Sequence, residues 1–390
     1  MKSVLIAAFA VTVLVLATRP LWWPEANEPR PALEPATQTR PEPQPAAVDT
    51  AATWRLLRHY EQFNDPEALQ ATFIQAGAVL RSDAASLPGW LALGGAHDAM
   101  QDFDRARRVY AQAALIAPNA PAPDLAESDT WLAEGDLGAA WRRSMQGFVK
   151  DPDGLDAASR LLLLSNALEN FGAADRWADR VGHRVTRQAD ALAALAHHRY
   201  LTGNFDQAVQ LSNIALRLGL SDRWDADAVF MRIKRDEAIS DGQFARAIEL
   251  MRERHPALFE AEPRIVPGNA QQAVDLAFLL QQVGEPGRAE SILRRVVAAY
   301  GEDGFTQGSA RTIILPVRAE ALALLDDGEA ALAELERVVD RGWRIQWRWE
   351  TELNANFIAL RDAPGFRRII RRIENDVAAQ RRLLHATGES

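Results

Sequence analysis

From Leu87 to Pro118 the chain reads "LPGWLALGGAHDAMQDFDRARRVYAQAALIAP". Small and bulky apolar residues recur there on two helical periods separated by a short polar turn, a pattern that predicts two crossing helices. Gly94 and Ala106 are small where the two backbones would approach, and Trp90, Leu93 and Tyr110 are large enough to fill the space between them. Ala113 continues the packed face of the second helix. Pro118 stops that helix, because proline has no N–H and clashes with the preceding turn. "QDF" at 101–103 supplies the turn.

The pattern recurs. With Leu87 as position 1, Gly94 is position 8 and Ala106 position 20. Starting at Pro121, 34 residues on, Ser128, Gly135, Ala140 and Gly147 take positions 8, 15, 20 and 27. Units starting at Leu155 and Ala189 place Ala174 and Ala208 at position 20. Later units are longer. Ala247, Ala289 and Ala331 follow at intervals of 39, 42 and 42, with inserted loops around Pro256, at 260–269 and at 301–309. Before Leu87, "NDPEALQATFIQAGAVLRSD" reads as a preceding helix with its turn at Asn64 to Pro66, so about seven and a half units are expected over residues 50–342.

The spacing and the Trp90, Leu93, Gly94, Ala106, Tyr110, Ala113, Pro118 series resemble the tetratricopeptide repeat, with His97 where that pattern has tyrosine. The resemblance implies an all-α fold, a right-handed α-solenoid of helical hairpins over residues 51–342. It also implies that positions 2, 5, 9 and 12 of each unit face a concave groove. In this chain those positions include Asp98, Asp129, Asn166, His197, Tyr200, Arg232, Asp236, Phe278 and Gln281. The set is acidic and amide-rich with a few aromatics, suited to an extended peptide carrying a basic side chain. It lacks the lysine- and asparagine-rich carboxylate clamp of chaperone-binding relatives, which makes an acidic carboxy-terminal tail a poor ligand. Residues 343–390 depart from the repeat. "GW", the Trp347/Trp349 pair, "LRDAPGF" and a final charged helix resemble the carboxy-terminal cap of tetratricopeptide domains in some bacterial regulators and cyclase-associated proteins. A cap of that kind would end the solenoid and cover its last apolar face.

The amino terminus reads differently. Lys2 is followed by an apolar run from Val4, and Val4 to Trp23 is long enough to cross hydrocarbon. Trp22 and Trp23 suit the membrane interface. Leu16-Ala17 is a poor match to a cleavage site, so residues 1–24 are expected to be an uncleaved signal anchor, single-pass in a bacterial inner membrane with the bulk of the chain periplasmic, and a cleaved signal peptide is the alternative. Residues 25–50 are rich in proline and glutamate and are expected to be a disordered spacer.

Composition narrows the chemistry. The chain has 390 residues, no cysteine and a formal net charge of −9. Cysteine ligands, disulfides and thiol nucleophiles are excluded, and a general nucleic-acid binder is disfavoured because it needs a basic face. None of the seven histidines stands in a metal-ligand spacing, and no GxGxxG, GxxxxGK[ST] or GxSxG is present. "DPDG" at 151–154 and "DDGEAA" at 326–331 lack the spacing of a calcium loop. The expected protein is therefore a non-catalytic interaction scaffold without metal or cofactor. It would bind partner proteins or extended peptides in its groove, as part of envelope complex assembly. Two variants stay open: a sensor with a small-ligand pocket at Trp343, Trp347 and Trp349, and an accessory subunit of c-type cytochrome maturation or exopolysaccharide machinery. An enzyme would need shifted carboxylates brought together around Asp98, Asp129 and Asp236, and no such cluster is expected.

Overall fold

The computed structural model describes residues 50–184, 187–219, 224–301 and 316–386. The expected anchor at 1–24 and the spacer at 25–49 lie outside the described residues, as does most of the loop at 301–309. Among the described residues no helix is long and apolar enough to cross a membrane, and none forms a strand.

Among the described residues sixteen helices pair into eight hairpins. These are α1 (Thr50–Phe63) with α2 (Pro66–Ser82), α3 (Leu87–Ala99) with α4 (Phe103–Ile116), α5 (Ala122–Glu134) with α6 (Leu137–Lys150), and α7 (Leu155–Ala167) with α8 (Phe171–Gly182). Then follow α9 (Ala189–Leu201) with α10 (Phe205–Arg217), α11 (Trp224–Asp241) with α12 (Phe244–Arg254), α13 (Ala270–Gln282) with α14 (Pro286–Ala299), and α15 (Val317–Leu324) with α16 (Gly328–Asp340). The sequence showed the second helix of the first hairpin. The structure supplies its partner α1, which buries Leu57 and Tyr60, and so completes an eighth unit.

One local device makes all eight turns. The first or second residue after the first helix takes a left-handed backbone at Asn64, Gln101, Gly135, Glu169, Gly203, Gly242, Gly284 and Asp326. A short polar residue often follows and caps the next helix. Asp102 accepts from the Arg105 N–H at 3.3 Å, Asp136 from Ala139 at 2.7 Å, Asn170 from Ala173 at 3.3 Å and Asp327 from Ala330 at 3.2 Å.

The packing positions behave as the spacing predicts. Ala106, Ala140, Ala174, Ala208, Ala289 and Ala331 are fully buried and Ala247 nearly so. A Cβ added to Gly94 would overlap the Tyr110 ring, so the close crossing of α3 and α4 depends on glycine there. Trp90 departs from expectation. It is only half-buried and donates its indole N–H to the Ala84 carbonyl at 2.9 Å, bracing the approach to α3.

The array is tied to itself twice. The inserted loop at 260–269 reaches the first hairpin, where Gly268 abuts Gln62 of α1. Beyond α16, the short helix α17 (Trp347–Glu350), a 3-10 turn at Ala355–Leu360 and the long helix α18 (Pro364–Ala386) cover the last hairpin, with Phe366, Ile369, Ile370 and Ile373 in one core with Leu335 and Val338. That much is a cap. The same segment also runs back to the middle hairpins. Gly342 lies against Gly135, and Gln380 donates to the Gly135 carbonyl at 2.9 Å and accepts from the Gly138 N–H at 3.3 Å. The C-terminal end of α7 is also satisfied from this segment. Trp347 Nε1 donates to the Ala167 carbonyl at 3.3 Å, and Arg381 donates to the carbonyls of Leu168 and Glu169 at 3.0 Å each. A guanidinium is favoured at that negative helix end.

Candidate functional site

The inner faces of the first helices carry the residues expected to line a groove. The structure brings most of them inward and then covers several with the chain's own carboxy-terminal segment. His197 is buried, and its ring lies 4.9 Å from that of Trp349. Tyr200 meets Trp349 at 5.3 Å and donates its hydroxyl to Asp236 at 2.9 Å. Asn166 is buried and pairs with His198 Nδ1 at 2.9 Å, while His198 Nε2 lies 3.1 Å from Asp175. Burial pushes the His197 imidazole down to about 3 and lowers His198 as well. Asp98 is buried in α3. Phe278 lies beneath the Arg235 guanidinium at 5.6 Å, and Gln281 donates to the Leu324 carbonyl at 3.0 Å, bridging neighbouring hairpins.

At the centre of this covered face stands an ionic cluster that sequence reasoning found only in part. Arg232 and Arg235, one helical turn apart on α11, are both buried. Arg232 donates to Asp275 of α13 at 3.1 and 3.3 Å, to Glu320 of α15 at 2.8 Å, and to Glu350 of α17. Arg235 donates to Asp275 at 2.6 Å, to Asp236 at 2.6 Å, and to the side-chain carbonyls of Asn354 and Asn356 at 3.2 and 3.3 Å. Asn356 and Gln271 add bonds to Glu320 at 2.6 and 3.2 Å. Four carboxylates therefore meet two guanidiniums. Burial pushes the Glu350 carboxyl up to about 8, with Arg232 opposing and Glu320 and Asp275 adding to the rise. Burial raises Glu320 too, again against Arg232. So Glu350 holds a proton at neutral pH that an exposed carboxylate would lose.

Sequence reasoning named Arg232 and Asp236 and missed Arg235, Asp275, Glu320 and Glu350. A signal was present: Asp275 in "QQAVDLAFLL" and Glu320 in "VRAEALALL" are lone acids inside apolar runs. A buried acid on such a helix needs a cation opposite. The shifted carboxylates lie around Arg232 rather than around Asp98 and Asp129. They are sealed from solvent and spent on holding the carboxy-terminal segment. Trp343, Trp347 and Trp349 are likewise buried in the packed interior, so the aromatic pocket a sensor would need is filled by packing.

One part of the inner face stays open. A cavity of about 400 Å³ lies between the first helices of the early hairpins, bounded by Trp54 of α1, Leu91 of α3, Leu125 and Leu132 of α5, and Gln346 of the returning segment. Its charged groups are Asp129, Asp156 and Asp190 against Arg160. Arg160 pairs with Asp129, and Asp156 accepts from Gln188 at 3.0 Å. The cavity is thus apolar-walled with an acidic excess. Of the residues expected to line the groove, Asp129 is the one that lines it. Among the described residues no group of histidine and carboxylate side chains is arranged to hold a metal ion.

Stacked hairpins with their small residues at the crossings define an α-solenoid. The 34-residue spacing of those buried positions is similar to that of tetratricopeptide repeats. No family model matches the chain, and no curated protein matches its sequence. Solved structures do. A tetratricopeptide repeat protein from Parabacteroides merdae is 17% identical, covering 65% of this chain and 95% of its own, with a TM-score of 0.43. The Cut9 and Hcn1 assembly of APC/C gives 13% identity over 72% of this chain and 48% of that one, with a TM-score of 0.50. YrrB, described as a repeat protein with an unusual peptide-binding site, is 10% identical over 58% of this chain, with a TM-score of 0.30. At these identities the likeness is one of fold.

Proposed function

We propose that the protein is an interaction scaffold, without chemistry of its own, that takes an extended partner segment into the open part of its inner face. The observation that carries this is the acidic cavity. The conserved logic of helical arrays puts ligands on the inner faces of first helices. Here the far half of that face is taken up by the chain's own residues 343–361, so recognition falls to the half lined by α1 to α9. Three carboxylates against one guanidinium, between apolar walls, suit a segment that presents a lysine or arginine flanked by small apolar residues. The apolar run at Val4–Trp23, followed by a proline-rich spacer, supports tethering at an inner membrane with the array on the periplasmic side, where it would bring envelope proteins together.

Proximity labelling in the native membrane tests both parts. Asp129→Lys together with Asp190→Lys is expected to remove a reproducible set of neighbours that the unaltered chain labels. A chain beginning at Thr53 is expected to lose its envelope setting. An unchanged neighbour set in the charge-reversed variant would refute the cavity as the recognition surface.

A further inference from the structure

A second recess lies on the opposite side of the hairpins and has no residue in common with the inner cavity. It is a cleft of about 900 Å³ between α6 and α8, the second helices of consecutive hairpins. Trp141, almost fully buried, forms its floor. Phe148 and Trp177 meet edge to face with ring centres 4.9 Å apart and make its walls. Val149, 70% exposed, carries the apolar surface out to the mouth. Helix α18 meets α6 at its first turn through Gln380 and shares a core with Trp141, while Arg142, Gln146 and Val149 further along α6 are exposed.

The rim is basic. Arg142 and Arg176 are exposed, and Lys150 and Arg180 stand half-buried at one end. Asp124 is the carboxylate among the lining residues, and Lys150 engages it at 2.5 Å. Arg180 lies over the Phe148 ring at 4.7 Å and donates to the Pro152 carbonyl at 2.7 Å, while its Nε is buried without a partner. Four cations around an aromatic floor stand out on a chain whose net charge is −9. That local sign sets the sign of the partner.

We propose that this cleft is the docking site for an acidic amphipathic helix of a partner protein. The helix would lay its apolar face on Trp141, Phe148 and Trp177 and its carboxylates against Arg142, Arg176 and Arg180. The shape favours a helix. The trough runs between helices of 14 and 12 residues, about 20 Å at 1.5 Å per residue, which is some three to four turns of a bound helix. An anionic membrane suits it less well, because Trp141 is almost fully buried and a flat bilayer would meet the cations and Val149 but not the aromatic floor.

The probe is a labelled synthetic peptide of about four helical turns, with leucine and phenylalanine on one face and glutamate on the other. Its control is a scrambled peptide of the same composition. Anisotropy titrations use the full chain. The amphipathic peptide is expected to bind at least about ten-fold more tightly than the scrambled one, and more weakly as salt is raised. Arg142→Glu with Arg176→Glu, both at exposed positions, is expected to lose about ten-fold or more in affinity, and Val149→Asp to weaken binding independently. Asp129→Lys is expected to leave it unchanged, which separates this site from the inner cavity. Equal affinity for the two peptides would overturn the proposal. So would full binding by the folded charge-reversed variant, or capture of the protein on phosphatidylglycerol vesicles through the same arginines without peptide binding.

Discussion

Trp349→Ala removes the side chain on which the returning segment pivots. Trp349 is 1% exposed and lies among His197, Tyr200, Val229 and Phe230. A buried tryptophan removes roughly 150–250 Å² from water, which at about 25 cal/mol per Å² is worth about 4–6 kcal/mol. Partial collapse of the space left behind brings the expected cost to about 3–5 kcal/mol. That is a large share of the ~5–15 kcal/mol that keeps a typical domain folded. The loss should not fall evenly, because a repeat array holds each hairpin mainly through its neighbours. Hydrogen exchange is expected to rise first at residues 346–361 and at the carbonyl-capped end of α7, with the outer hairpins still protected. Denaturant unfolding should show the same order, with an early transition absent from the unaltered chain. A cost below about 1 kcal/mol, together with unchanged exchange at 346–361, would refute the account of the segment as a docked part of the core.

Other outcomes follow from the same contacts. The Glu350 carboxyl, raised to about 8 in the fold against about 4.3 when unfolded, binds a proton in the native state over that window. Its contribution to stability is therefore full below the window and is lost as pH rises toward 8. Melting temperature should climb on acidification from pH 8 to 6.5, and Glu350→Gln should flatten that climb. His197 runs the other way: held neutral down to about 3, it costs stability as pH falls below 6.5, by at most about 1.4 kcal/mol per pH unit. His197→Phe should remove part of the acid-side loss seen in the same melts. Arg232→Met leaves Asp275, Glu320 and Glu350 crowded without their shared cation and should destabilise by about 3–5 kcal/mol in chemical denaturation. Gly94→Ala drives a Cβ into the Tyr110 ring and should cost about 1–3 kcal/mol, with Tyr110→Leu partly restoring the double variant.

The repeat was legible because each hairpin is built from local rules. Small residues at the crossings, a left-handed residue at the turn and a polar cap after it all fall within one 34-residue window. The seven alanines from Ala106 to Ala331 follow from that spacing alone. Helix α1 was harder to see, because "TAATWRLLRHYEQF" carries no glycine at its crossing and its partner turn is marked only by Asn64 and Asp65. The route of residues 343–381 was not legible at all. Trp347 meets Ala167 and Arg232 meets Glu350 across separations of 180 and 118 residues. No periodicity spans such distances, and a tryptophan signals burial without naming its neighbour. Of the positions expected to line a groove, His197, Asn166 and Arg232 are buried, and Asp129 lines the open cavity. What they face is decided by this returning segment.

Gly135 and Gly342 meet backbone to backbone, each in a left-handed conformation that spares the other a side chain. Between them lie eleven described helices, α6 to α16, so the contact fixes how many hairpins stand between the third and the eighth. An ordinary solenoid behaves like an open spring: units can be added or lost and the remainder keeps its pitch. Here a duplicated or deleted hairpin would carry Gly342 past its mate and pull Trp347 off the end of α7. The number of repeats between those two glycines is thus part of the fold.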